Sequence, residues 1–318
     1  MKKIDISVLS HLLSRKSVAL CMHVNPDWDC LGSSLALREV LRKNGVKCDV
    51  FSDEPLSPYL SFRETGVLVY ESFEGYECLC SVDVGDAGRV GRMAEAFTAH
   101  GDTACIDHHI GDGSFARLSY IDSAAPATGE IMFDLFKSAG IEIDKRTAEH
   151  LYCAISTDTG SFKYGATTPH TMRVVAELME LGADCAFLSD MLYGRKSLKE
   201  LKLQGEAISA LELYGGGRIG VSYVTADTYK KYNATKNDTE ALASLPREID
   251  GVVMSAFFTQ RTPDEIRVNL RSKGEYNVQP VAVHFGGGGH MRASGCNIPG
   301  NDMKAAVAAV VAELEKLL

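Results

Sequence analysis

The stretch VALCMHVNPDWDCLGSS (18–34) passes from an apolar segment into a histidine, two aspartates around the chain's only tryptophan, and a turn of small residues. A short apolar run of this kind reads as a buried strand, and the polar groups fall where the strand ends. The continuation SSLALREVLRKNG (33–45) places Leu37, Val40 and Leu41 as the apolar positions of a helix that closes on Gly45, a glycine C-cap. Strand, polar turn and helix in succession open an α/β domain with a mostly parallel sheet.

Working outward, CDVFS (48–52), ECLCSVDV (77–84) and TACIDHH (103–109) repeat the buried-strand pattern, and TGEIMFDLFKSAG (128–140), KRTAEHLYCAISTDTG (145–160) and TPHTMRVVAELMELG (168–182) read as helices. Residues 186–214 are amphipathic and charged, as a connecting helical stretch would be. Beyond YGGGR (214–218) come strand-like IGVSYVT (219–225), GVVMSAFFTQ (251–260) and EIRVNLRS (265–272), a glycine run and a closing helix over 302–318. The expected organisation is a catalytic domain over 1–185, a helical linker over 186–214 and a smaller α/β domain over 215–318, with an active-site cleft between the two domains.

The totals narrow the function. A chain of 318 residues, 45% hydrophobic and 24% charged, suits two globular domains, and no apolar run reaches the roughly 18 residues that cross a bilayer. The N-terminal MKKIDISVLSHLLSRK lacks the unbroken apolar core of an export signal, and nine scattered cysteines without paired metal-knuckle spacing read as reduced thiols, so a cytoplasmic protein with no membrane partner is expected. A net charge of −9 speaks against broad binding to long nucleic acid while leaving a small phosphorylated substrate open.

Ligands of open parallel sheets gather at the carboxyl ends of the strands. His23, Asp27 and Asp29 follow the first strand, Asp83 another, Asp107, His108 and His109 the next, and Asp158 ends a helix. Carboxylates and imidazoles arriving from four segments at one edge predict a metal site. Oxygen and imidazole donors without thiolate suit manganese, iron, cobalt or zinc better than calcium, with magnesium a poor binder of histidine; manganese is the expected ion. His23, Asp27, Asp29, Asp83, His108 and Asp158 are more ligands than one ion with open positions needs, so two divalent ions bridged by Asp83 are expected.

These residues carry a resemblance. HVNPDWDCLGSSLAL, SVDVGD, CIDHHIGD and ISTDTGSFKYGATTPHT resemble, in order, the four motifs of the DHH phosphoesterase family, and VNLRSKGEYNV with FGGGGHMRASGC resembles its associated C-terminal domain. The likeness is greatest to the stand-alone NrnA-like group, manganese-dependent hydrolases of short oligoribonucleotides and of 3′-phosphoadenosine 5′-phosphate (pAp). It implies that His23, Asp27 and Asp83 hold one ion and that Asp29, Asp83, His108 and Asp158 hold the other. It also implies that Asp107 orients an imidazole and that His109 meets the scissile phosphate. Substrate would fall to the second domain. Gly286 to Gly289 let backbone amides approach an anion, and Arg271, Ser272, His290, Arg292, Ala293 and Ser294 stand beside them. In the resembled family this loop holds a terminal phosphate or base, which implies roles for Arg271, Ser272, Gly287, Gly288, Gly289, His290 and Ser294.

Short RNA oligonucleotides and small phosphorylated nucleotides are therefore the expected partners, cleaved to 5′-mononucleotides or, for pAp, to AMP; a homodimer stays open. Cyclic di-AMP or pApA hydrolysis is the alternative within enzymes. A pyrophosphatase is disfavoured by FGGGGHMRASGC, and a non-catalytic nucleotide sensor by the complete ligand set. Trp28 lets Asp27 and Asp29 diverge, one to each ion, while its ring either packs or offers a stacking surface to a base. His11, His100, His150 and His284 are expected to be structural, and His170 has no assignment.

Overall fold

The protein is described by a computed structural model covering residues 4–60, 64–262 and 264–318. The chain divides into two compact units, Met1–Arg195 and Lys196–Leu318.

In the first unit the elements are α1 (Ser7–Leu13), β1 (Ser17–Cys21), α2 (Trp28–Lys43), β2 (Lys47–Ser52), β3 (Leu68–Val69), β4 (Cys78–Val82), α3 (Ala94–Ala99), β5 (Thr103–Asp107), β6 (Leu118–Ile121), α4 (Thr128–Ser138), α5 (Lys145–Asp158), α6 (Pro169–Glu180) and α7 (Cys185–Ser189). All six strands are parallel, in the order β3-β2-β1-β4-β5-β6. Alternate residues of β1 enter different cores: Val18 and Leu20 join a cluster with α2, α4 and α5, while Ala19 and Cys21 pack with Phe51, Leu79 and Phe97. Both faces are thus covered, which explains why the strands read as continuous apolar runs. The strand order reverses between β1 and β4, and such a switch point leaves a crevice at the carboxyl ends.

Helix α2 starts at Trp28, earlier than the expected Ser33, because Asp27 caps it by accepting the Cys30 N–H at 3.0 Å. Trp28 is 2% exposed within the core, so the packing role is the one it has and its ring offers no face to a base. At Gly32, α2 lies so close to α5 that an added Cβ would come within 2.5 Å of the His150 carbonyl oxygen.

The second unit comprises α8 (Leu198–Ser209), β7 (Glu212–Tyr214), β8 (Ile219–Val224), α9 (Ala226–Tyr232), α10 (Asn237–Glu240), β9 (Met254–Thr262), β10 (Glu265–Ser272), α11 (Gln279–His284), β11 (Gly288–His290), β12 (Ala293–Pro299) and α12 (Met303–Glu315). Its mixed sheet runs β11-β12-β10-β9-β8-β7, with only the β8/β9 pair parallel. Val307, Val310, Val311 and Leu314 of α12 cover one face against Val221, Phe258 and Val268; Leu203 and Ala207 of α8 cover the other with Phe257. Residues 186–214, expected as one connector, are shared: α7 belongs to the first unit and α8 with β7 to the second. Among the described residues no helix is long and apolar enough to cross a membrane. None of the nine cysteines forms a disulfide.

Candidate metal centre

The chain leaves β1 through Met22 and reaches His23, whose Nδ1 meets the Val24 carbonyl at 2.9 Å. That contact orients the ring, placing Nε2 3.6 Å from Asp83 Oδ2 and 4.0 Å from Asp27 Oδ1. The Val24 N–H donates to the Arg89 carbonyl at 2.7 Å, tying this loop to the one after β4. Asp83, the first residue beyond β4, has φ +61°. Among the described non-glycine residues the left-handed region holds Asn25, Asp83, Ser161, Phe162 and Asn233, and the first four flank His23, Asp83 and Asp158. Strain of this kind, about 1 to 3 kcal/mol per residue, persists where the surroundings over-determine it and clusters at functional sites.

The two oxygens of Asp83 look in different directions. Oδ2 faces His23, whereas Oδ1 lies 3.5 Å from His108 Nε2. His108 Nδ1 rests on the Ala125 carbonyl at 3.2 Å, and its Nε2 also stands 3.7 Å from Asp29 Oδ2 and 3.5 Å from Asp158 Oδ2. Donor atoms bound about 2.1 Å from one ion are about 3 Å apart or slightly more, so this spacing is close to that of a coordination shell. The oxygen and imidazole donors of Asp29, His108 and Asp158 on one side, and of His23 and Asp83 on the other, can therefore hold divalent ions. Cys30 also stands beside His23 and Asp83, but its thiol donates to the Val82 carbonyl at 3.3 Å and burial holds it well above the usual thiol range.

The electrostatics fit a site built for cations. Burial pushes the Asp29 carboxyl well above its ordinary range, and the charges of Asp83, Asp158 and Asp27 add to the rise. Asp158 is raised to about 6 by burial, with Asp27 and Asp83 reinforcing and the nearby histidines opposing. Burial alone would raise Asp83 too, but the His23 contact and the charges of His108 and His109 outweigh it and leave the carboxyl below its usual range. Carboxylates crowded in this way repel one another, and an entering divalent cation would relieve that repulsion.

Asp107, 1% exposed, accepts the N–H groups of His108 and His109 at 2.8 and 3.1 Å and meets His109 Nδ1 at 2.8 Å. That last contact is the main cause of the raised His109 pKa, which the charge of nearby Arg89 opposes.

Three contributors were not foreseen. The backbone N–H groups of Thr128 and Gly129, at the start of α4, donate to the two oxygens of Asp29 at 2.7 and 2.9 Å. Thr128 Oγ1 donates to Asp83 Oδ1 at 2.9 Å, and Ser33 Oγ to Asp29 Oδ1 at 3.1 Å. The signal was present as a threonine and a glycine opening a helix, the position from which backbone donors reach an anion. His170 instead contacts Asp134 at 2.9 Å, and His11 contacts Asp102 at 2.8 Å beside Arg15, at the amino ends of the strands. Neither belongs to the centre.

In the second unit, the glycine run turns at Gly286 and ends in a paired strand: Gly288, Gly289 and His290 lie opposite Gly295, Ser294 and Ala293. Arg271 lies opposite Ala293, and the Ser272 N–H donates to the Arg292 carbonyl at 3.1 Å, so the expected substrate residues do gather at one edge. The hydroxyls of Ser272 and Ser294 donate at 2.6 Å to the carbonyls of Tyr276 and His290. These two serines are struts of the hairpin, with their hydrogens already committed, whereas His290 and Arg292 are exposed.

Comparison with known proteins follows this geometry. The DHH family N-terminal domain matches residues 17–155 and the DHHA1 domain matches residues 216–316. The bifunctional oligoribonuclease and PAP phosphatase NrnA of Thermus thermophilus is 30% identical over 291 residues, covering 91% of this chain and 86% of that protein. The Bacillus subtilis protein of the same name is 30% identical over 287 residues, 89% of each. An exopolyphosphatase-related protein from Bacteroides fragilis superposes with a TM-score of 0.90 at 25% identity, covering 100% of this chain and 99% of that one. Exonuclease RecJ bound to manganese shares the fold, with a TM-score of 0.56 at 12% identity over 100% and 97% of the two chains. With both domains matched and near-full-length relatives at this identity, the chain belongs to the DHH family and carries a DHHA1 domain.

Proposed function

We propose that this chain is a manganese-dependent phosphoesterase that cleaves very short oligoribonucleotides to 5′-mononucleotides and removes the 3′-phosphate of pAp to give AMP. The convergence of Asp29, Asp83 and Asp158 on His108 Nε2 carries the reading, and the names of the relatives give its substrates. His23, Asp27 and Asp83 would hold one ion and Asp29, Asp83, His108 and Asp158 the other; one oxygen of Asp83 faces His23 and the other His108. When bound, the ions supply Lewis acidity, neutralising phosphate charge and lowering the pKa of water.

The protein's own groups do the rest. Asp107 holds His109 by Nδ1, which leaves Nε2 to meet the phosphate and to give a proton to the leaving oxygen. Arg271, His290 and the Gly287–Gly289 backbone hold the anionic end of the substrate, with Ser272 and Ser294 bracing that hairpin. The acidic chain suits a short substrate better than long RNA. Nine cysteines without a disulfide suit a cytoplasmic enzyme.

Purified protein loaded with manganese, given a labelled diribonucleotide and pAp, is expected to release mononucleotide and phosphate. Hydrolysis of neither, with bound metal verified, overturns the reading.

A further inference from the structure

Helix α4 begins without a cap of its own: Ala127 occupies the capping position and supplies no side-chain hydrogen bond. Free N–H groups at a helix start need acceptors, and here they find Asp29, which comes from α2 about a hundred residues earlier in the chain. The partial positive charge of the helix start also favours an anion at that point, against the repulsion Asp29 meets from Asp83 and Asp158.

Thr128 extends the same arrangement to a second carboxylate. Its side chain has no exposed surface, and Oγ1 donates to Asp83 Oδ1, the oxygen on the His108 side. One residue therefore fixes Asp29 through its backbone and Asp83 through its hydroxyl. On the His23 side the Val24 carbonyl orients the imidazole, but among the described residues no such hydroxyl is seen donating to the carboxylates that face it. Asp27 has a side chain 58% exposed, and its Oδ1, the oxygen facing His23, is already accepting the Cys30 N–H.

We infer that Thr128 is a positioning residue that makes the two metal positions unequal, with the Asp29/Asp83/His108/Asp158 position tight and the His23/Asp27/Asp83 position weak. The inference rests on the two-ion reading above and extends it. Ligands already immobilised by buried hydrogen bonds lose little freedom when an ion arrives, whereas an exposed carboxylate must be ordered and taken from its cap.

Manganese titration calorimetry on the full chain, with wild type, Thr128→Val and Thr128→Ser, tests this. Valine keeps the shape of threonine and removes the donor; serine keeps the donor. Wild type and Thr128→Ser are expected to show a tight and a weak class. In Thr128→Val the tight class falls by roughly 10- to 100-fold while the weak class changes much less. A Thr128→Val isotherm matching wild type, or one in which both classes weaken equally, overturns the inference while leaving two-ion binding intact. Wild type that binds no manganese overturns the two-ion reading itself. Should the valine variant not fold, Thr128→Ala removes the same hydroxyl donor with less bulk: a weaker tight class supports the inference, and an unchanged one overturns it.

Discussion

The carboxyl edge of the parallel sheet and the glycine-rich edge of the mixed sheet both collect polar residues, and they do so by opposite means. At the first, side chains from separate elements converge in a buried space, and the backbone is bent into left-handed turns at Asn25 and Asp83 to aim them. At the second, the positive φ falls on glycines, Gly286 at +73° and Gly289 at +135°, and the lack of side chains lets β11 approach β12 without obstruction. Under the proposed function, the first edge works through donor atoms whose removal changes charge. The second works through a shape whose alteration changes packing.

Asp83→Ala should break the comparison hardest. Both proposed ions lose a ligand, so the fall in kcat is expected to exceed the roughly 10- to 100-fold typical of removing an outer-sphere partner. Steady-state kinetics on pAp measures it, and near-normal turnover would show that Asp83 does not bridge. Metal removal gives the next largest effect. Manganese at about a hundred times its Kd should stabilise the folded first unit by about 2.7 kcal/mol. Hydrogen exchange should register this as slower exchange around residues 23–33, 83 and 125–130, with no change over 286–295. Equal slowing in both regions would remove the contrast.

The contrast also explains what could be read from the sequence. Parallel strands buried on both faces appear as apolar runs, so His23, Asp83 and Asp107 stood out where those runs ended. What stayed hidden depends on neighbours distant in the chain. Nothing local to Thr128 shows that its N–H will meet Asp29, and Ala127 lacks the side chain that would mark a capped helix. The glycine run reads from the sequence as an anion-binding loop, and its strand stays hidden because β11 exists only through its pairing with β12. Trp28 looked like part of the site because its neighbours are; the helix turn sends its ring the other way, into the core.

Gly287→Ala sharpens the second half of the comparison. An added Cβ at that position would run into the Gly295 carbonyl and Cys296, a backbone clash that side-chain movement cannot relieve. A loss of about 1 to 3 kcal/mol in the stability of the second unit is expected, with manganese binding unchanged. Denaturant unfolding followed by exchange in the second unit, beside a manganese titration, checks both parts. Weaker metal binding in this variant would mean that the two edges are not independent in the way the local geometry of each implies.

The smallest expected effect is at Trp28, and its smallness is the point. The chain has a single tryptophan, so its fluorescence reports on one ring, and that ring is 2% exposed beside two proposed ligands. Saturating pAp should leave the emission spectrum nearly unchanged, and a polar quencher such as acrylamide should reach the ring poorly with or without nucleotide. A base stacking on the indole would instead quench the emission and shield it from acrylamide. Strong quenching by pAp would place the ring at the substrate and require α2 to begin later than Trp28. Its absence leaves Asp27 and Asp29 as the working pair and Trp28 as the wedge that holds the first turn of α2 in the core while they diverge.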